Sequence, residues 1–371
     1  MVTLKDKFRG CIAGSWIGSA MGAPVEGWSR EQVKEKYGYL DRLLPYRHYT
    51  ERTKWDRPAG TTEDGIERQK LIATAIIEKK DRVLAQDVLA VWVRDIDPDK
   101  IVYKQEAFDR ALLMLARSGL PAAEAGSLVL YPNIVSLPRS SHPLGLINAG
   151  DPRGAADDAF EVGKLYARET AYAMRWAALY DAAIAEACKA KATVESVLNV
   201  AREFVHYRAE RGALYASYDT IEWEVNHALG LAEKHTDPMK MRDEFYDHYH
   251  GGDYFNYYAS QANEIVAKGL AVFAICKGDP KQAILTAVNF GRDTDCLGAI
   301  AGGLAGALSG TAALPREWIE QVNAATKEDP YTNNLRGIEE TADGIFEAFL
   351  ARRGRLAAYV EAMGDPAYLG G

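Results

Sequence analysis

Apolar and small residues recur at helical spacing along almost the whole chain, and no stretch sustains the apolar–polar alternation of a half-buried strand. The clearest periods predict helices over 4–23 and 66–77, and two more within 81–126 (LAQDVLAVWVRDI and KQEAFDRALLMLARSG). An alanine-rich helix or helix pair is predicted over 155–190. Further helices are predicted at 193–213, 218–234, 259–276, 280–288, 296–309, 315–326 and 336–362. The period lapses at 27–60, which is mixed and aromatic, and again at 127–154. In that second stretch X-Pro turns and Gly145, Gly150 and Gly154 predict the longest irregular segment. A glycine- and proline-marked loop of that length inside a compact fold is often functional. The architecture expected is all-α.

Two of these helices carry an unusual stripe. Gly10, Gly14, Gly18 and Gly22 recur every fourth position in the first, and Gly298, Gly302, Gly306 and Gly310 do so near the C-terminal third. That spacing puts each set on nearly one helix face. Each glycine costs about 1 kcal/mol against alanine in a helix interior. Two striped helices therefore predict mutual packing closer than the usual interaxial distance of about 8–10 Å. Such packing would bring Gly22-Ala-Pro-Val-Glu26 to the Asp293/Asp295 end of the partner helix.

That end is where chemistry concentrates. Asp293 and Asp295 flank Thr294 at a helix start, beside the positive end of the dipole. A second oxygen-rich helix start, Gly60-Thr-Thr-Glu-Asp-Gly65, precedes Ile66, with Thr61 or Thr62 as the expected N-cap and Glu63 and Asp64 in the first turn. Hydroxyl and carboxylate donors without clustered imidazoles or paired thiolates select Mg²⁺, Mn²⁺ or Ca²⁺ over Zn²⁺. With Glu26 added, the carboxylates exceed what one divalent ion requires, so a two-metal site is expected. Left bare, so many acids would repel and some would stay protonated.

Composition narrows the field. A net charge of −8 argues against a nucleic-acid partner, which wants a basic face. The charged start MVTLKDKFRG is unlike a signal peptide, and no apolar run reaches the ~18 residues of a membrane span. Cys11, Cys188, Cys276 and Cys296 are dispersed without CxxC spacing, which indicates neither a disulfide framework nor a zinc ribbon. There is no GxSxG elbow, P-loop or HExxH. The chain reads as a cytoplasmic protein with no membrane partner.

Gly18-Ser-Ala-Met-Gly-Ala-Pro-Val-Glu26, Gly60-Thr-Thr-Glu-Asp64 and Gly291-Arg-Asp-Thr-Asp-Cys-Leu-Gly-Ala-Ile-Ala-Gly-Gly-Leu-Ala-Gly306 resemble, in order, the signature segments of the ADP-ribosylglycohydrolase family, which includes the enzyme that reactivates dinitrogenase reductase. Gly145-Leu-Ile-Asn-Ala-Gly-Asp151 is compatible with a fourth, looser segment. The resemblance implies a single orthogonal multi-helix bundle over 1–371, with the motif-bearing core at about 5–330 and C-terminal helices at 331–371. It implies two Mg²⁺ or Mn²⁺ ions held by Thr62, Glu63 and Asp64 from one side and by Asp293 and Asp295 from the other. Cys296 stands where a serine or threonine hydroxyl usually completes the second metal's shell, and Glu26 is implied in water activation or as a ligand switch. Metals would lower the pKa of a water while carboxylates stabilise an oxocarbenium-like carbon. The substrate implied is an ADP-ribosylated protein side chain or small molecule.

Four departures accompany the resemblance. Glu63 replaces an aspartate, moving that carboxylate by ~1.5 Å; Gly65 replaces a threonine, Ser19 an aspartate and Cys296 a hydroxyl residue. A neutral thiol is a poor Mg²⁺ ligand, so the second site is expected to be weak or to prefer Mn²⁺. In 127–145 only Arg139 and Ser140 offer phosphate contacts. A smaller, nucleoside-like ribosyl N-glycoside is therefore the alternative substrate, and a crystallin-like non-catalytic relative a third reading. Arg292, Asn148, Asn263 and Glu264 are candidate substrate-binding residues, with charge balance and capping as their structural alternatives. Tyr254, Phe255, Tyr257 and Tyr258 either stack a base or pack on the core.

Overall fold

A computed structural model describes residues 2–47, 55–100, 107–128, 135–168, 171–209, 220–249 and 260–364. Among these residues the structure is helical, with no strand and one isolated antiparallel bridge between Tyr46 and Arg57. The helices that build the site are α1 (Leu4–Gly22), α2 (Asp64–Lys79), α3 (Ser136–Ser140), α4 (His142–Ile147), α5 (Tyr172–Ala187), α6 (Ala262–Ile275), α7 (Pro280–Val288), α8 (Thr294–Ser309) and α9 (Ile338–Met363). The alanine-rich region is a pair, Pro152–Gly163 followed by α5.

Helices α1 and α8 run antiparallel through the middle of the core, touching along their glycine stripes. A Cβ on Gly14 would lie 2.0 Å from the Gly302 carbonyl oxygen, one on Gly18 2.1 Å from that of Gly298, and one on Gly10 2.4 Å from that of Gly306. The reverse holds: a Cβ on Gly306 would lie 1.9 Å from Gly10 O. The two backbones are thus in direct contact, at a distance where Cα–H groups meet carbonyls. The stripe ends at Gly22, whose carbonyl accepts a 2.9 Å bond from Thr294 Oγ1. Every residue of α8 from Thr294 to Ala307 is buried.

The expected irregular segment is largely helical where it is described, with a turn left at 148–151. Residues 136–147 fold into α3 and α4, and every residue of both helices is buried. The prolines that suggested turns stand in first turns, Pro138 at the third position of α3 and Pro143 at the second of α4. The N–H groups they lack would have no intrahelical acceptor there. Residues 129–134 lie outside the described residues.

Further out, α9 packs Phe346 and Phe349 on Phe8 of α1, with ring centroids 5.4 and 5.7 Å away. Lys7 of α1 reaches the C-terminal end of α5, where its Nζ donates to Ala187 O at 2.6 Å and Lys189 O at 3.0 Å.

Candidate metal and catalytic centre

Asp293 is the N-cap of α8, its Oδ1 accepting from Cys296 N at 3.3 Å. The turn before it is left-handed at both Gly291 and Arg292 (φ 83° and 69°). Two backbone bonds tie this turn to the end of α1: Gly27 N donates to Arg292 O and Arg292 N to Trp28 O, each at 2.7 Å. This strap sets half-buried Glu26 beside the aspartates. Burial raises the Glu26 carboxyl pKa well above its ordinary value, and the charges of Asp295, Asp293 and Glu63 raise it further. Asp295 is also pushed well up, first by burial and then by Asp293 and Glu63, against the opposing pull of Arg139.

The 62–64 turn meets this end from the other side. Its helix is capped differently from expectation. Glu63, not Thr61 or Thr62, holds the N-cap position of α2 and makes no side-chain capping bond. Thr61 Oγ1 instead donates to Pro58 O at 2.8 Å, while Thr62 is buried in the turn. The Glu63 carboxylate accepts short bonds from the Tyr46 hydroxyl and Arg57 Nη1. The Tyr46–Arg57 bridge holds these two donors together. Asp64 accepts from Arg68 Nη2 at 2.5 Å, and that arginine also clamps buried Asp109.

Arg139, from α3, joins the two turns. Its Nη1 donates to Asp64 Oδ1 at 2.9 Å and lies 3.1 Å from Cys296 Sγ, and its Nη2 bonds Asp295 Oδ2 and lies 3.4 Å from Ser19 Oγ. Arg139 and Ser140 are the only phosphate-contact candidates that 127–145 offers. The structure spends the guanidinium on carboxylates and the Ser140 hydroxyl on Ser136 O. Arg57 and Arg139 were invisible as carboxylate partners, the latter 156 positions from Asp295. Arg68, four residues after Asp64 on one helix face, could have been read from spacing.

The remaining candidates divide. Glu264 accepts a bidentate pair from Arg292, at 2.7 Å from Nε and 3.0 Å from Nη2, and a short bond from Lys268. The Arg292 charge is thus matched to Glu264 next to the Asp293 turn. Asn263 donates to both Glu224 oxygens, at 3.1 and 3.0 Å. Asn148 donates to Leu144 O and to Asp158 and accepts from Arg352, which ties it to another part of the bundle. Tyr254, Phe255, Tyr257 and Tyr258 lie outside the described residues.

The donor set can be tested against a divalent ion. Asp293 Oδ2 and Asp295 Oδ1 are buried and have no hydrogen-bond partner. With Cys296 Sγ, ligand atoms of these residues lie within 4.8 Å of one another. Two orphaned carboxylate oxygens fit one hard cation, because burying them unpaired is costly. The thiol contributes little, since burial pushes its pKa well up and keeps it neutral. On the Asp64 side the oxygens are already matched by arginines.

The family profile described as ADP-ribosylglycohydrolase matches residues 1–355. An uncharacterized protein, YegU, of Escherichia coli K12 is 24% identical over 345 residues, covering 87% of this chain and 94% of that protein. An uncharacterized protein of Archaeoglobus fulgidus is 36% identical over 75 residues, 20% of this chain and 23% of that protein. A solved structure described as an ADP-ribosylglycohydrolase-related protein complex superposes with a TM-score of 0.61 at 19% identity, over 94% of this chain and 100% of that one, which shows a shared fold. With its profile match spanning nearly the whole length, the chain belongs to the ADP-ribosylglycohydrolase family.

Proposed function

We propose that this protein is a divalent-cation-dependent glycohydrolase that cleaves the C1 bond of a ribosyl group, with an ADP-ribosylated side chain or small molecule as substrate. The observation that carries the reading is the pair of buried, unpartnered oxygens, Asp293 Oδ2 and Asp295 Oδ1, at the start of a glycine-packed helix beside Glu26. Asp293 and Asp295 would hold an Mg²⁺ or Mn²⁺ ion, which supplies Lewis-acid polarisation and lowers the pKa of a bound water. Glu26, half-buried among these acids, is suited to hold or pass a proton at its carboxyl group. Carboxylate oxygens facing the ribosyl carbon would favour positive charge developing there. Arg292, fixed by Glu264, holds the turn on which Asp293 stands.

Glycohydrolase activity is tested by release of free ADP-ribose from ADP-ribosylated arginine in Mg²⁺ or Mn²⁺. Chelator and Asp293→Ala are each expected to abolish it. A second reading has its own support: Arg139 and Ser140, the phosphate-contact candidates of 127–145, are both bonded within the protein. A phosphate-free ribosyl N-glycoside, such as a nucleoside, is the corresponding substrate. Turnover of nucleosides with none of ADP-ribosyl arginine selects that reading, and turnover of neither by folded, cation-loaded protein overturns both.

A further inference from the structure

The three arginines bonded to carboxylates of the acidic turns are not equivalent. Arg57 bonds Tyr46 and Glu63, and Arg68 bonds Asp109 and Asp64, so each holds the 62–64 turn to its own surroundings. Arg139 instead lies between the turns, and its two terminal nitrogens span Asp64 of one and Asp295 of the other. A divalent ion bridging those carboxylates would need their oxygens at roughly 2.0–2.6 Å. The guanidinium Nη1 already stands 2.9 Å from Asp64 Oδ1, so the two cations cannot share the space.

Nor is Arg139 a surface side chain that has swung inward. It is 4% exposed and rises from a helix that is buried throughout. Its own carbonyl accepts from Gln69 Nε2 at 3.3 Å, and its N–H donates to Val135 O at 2.9 Å. Its stem runs through a gap that only glycine leaves. A Cβ on Gly65, at the second position of α2, would lie 2.1 Å from Arg139 Nε and 2.2 Å from its Cδ. The side chain therefore has a backbone anchor, a channel and two carboxylate partners.

We propose that the Arg139 guanidinium is the resident cation of the Asp64–Asp295 position, filling it in place of a divalent ion. The site then takes one ion, at the open oxygens of Asp293 and Asp295, and a fixed organic charge does the neutralising work of a second. This rests on the geometry of the cluster and does not require the hydrolase reading.

The test is a count of Mn²⁺ by calorimetry and by electron paramagnetic resonance, on the whole chain without substrate. Wild type is expected to bind one ion per chain with an uncoupled six-line spectrum. Arg139→Met is expected to gain a second ion and the broadened spectrum of a coupled pair. If Arg139→Met does not fold, Gly65→Ala supplies the same measurement, because it keeps the charge and crowds the stem out of its channel. Two ions in wild type within tenfold in affinity, or no gain in either variant, overturns the proposal. One ion and no turnover of any ribosyl substrate leaves it standing while removing the proposed function.

Discussion

Asp293 and Asp295 each present one oxygen with a partner and one without, whereas the carboxylates of Glu63 and Asp64 accept from arginines and a tyrosine. One acidic turn is thus open to a cation from outside and the other is closed by cations from within. Arg139 is the residue on which this balance turns. Removing one member of a buried ion pair leaves the other uncompensated, which typically costs about 3–5 kcal/mol. Arg139→Met should lose stability of that order in chelator, read by urea unfolding at pH 7, and should regain part of it on adding Mn²⁺. A loss under about 1 kcal/mol would mean that the carboxylates simply take up protons instead. Behind this cluster, Gln69 Oε1 accepts from Trp16 Nε1 at 2.7 Å, which fixes the amide so that its nitrogen faces His142 Nδ1 at 3.0 Å. Nδ1 must therefore accept, and Nε2 donates to Ala299 O at 3.2 Å. Burial holds the His142 pKa down from 6.5 to about 4. The unfolded chain takes up this proton first as pH falls. The contribution is therefore complete above pH 6.5 and is lost between 6.5 and about 4. It is worth on the order of 3 kcal/mol. The urea midpoint of His142→Gln should fall less steeply over that window than that of wild type, and parallel slopes would refute the assignment.

At the scale of elements, the α1–α8 pair gives the site its rigidity. A methyl group on either stripe meets the opposing backbone, which has no rotamer by which to yield. Gly14→Ala and Gly302→Ala should each cost about 1–3 kcal/mol or more by overpacking, measured as a lowered unfolding midpoint. Gly230, with nothing within 4 Å of its would-be Cβ, is the control and should gain stability as alanine. If Gly14→Ala is as well tolerated as Gly230→Ala, the close packing is wrong. The same pairing explains how Glu26 reaches Asp293 across 267 positions. The stripe sets the register, and the 27–28 to 292 backbone bonds complete it. Ser19, Gly65 and Cys296 are three of the four departures from the family pattern, and the Cys296 thiol is the one expected to weaken metal ligation. In the structure all three abut Arg139. Their common feature is the space and soft polarity that a guanidinium needs.

Over the whole molecule, the apolar core runs without a break from Phe8 to Ala348, so binding at the acidic centre reports on global unfolding. An ion held only by the folded state stabilises by about 2.7 kcal/mol at a hundred times its dissociation constant. Mn²⁺ should therefore raise the thermal midpoint of wild type and leave that of Asp293→Ala unmoved; an equal rise in both would place the ion elsewhere. No helix among the described residues is long and apolar enough to cross a membrane.

The all-α class, the two glycine stripes and the two acidic helix starts were legible in the sequence. Helical period, glycine spacing and the dipole at a helix start are local properties of a chain. Which arginines meet Asp295 and Glu264 was not, because the pairs Arg139–Asp295 and Arg292–Glu264 join residues far apart along it. Proline spacing misled at 136–147 because a proline in a first turn and one in a loop look alike until the packing around them is known. Charge balance inside a core is settled only by three-dimensional neighbours, since a buried carboxylate takes whichever positive group the fold brings within reach.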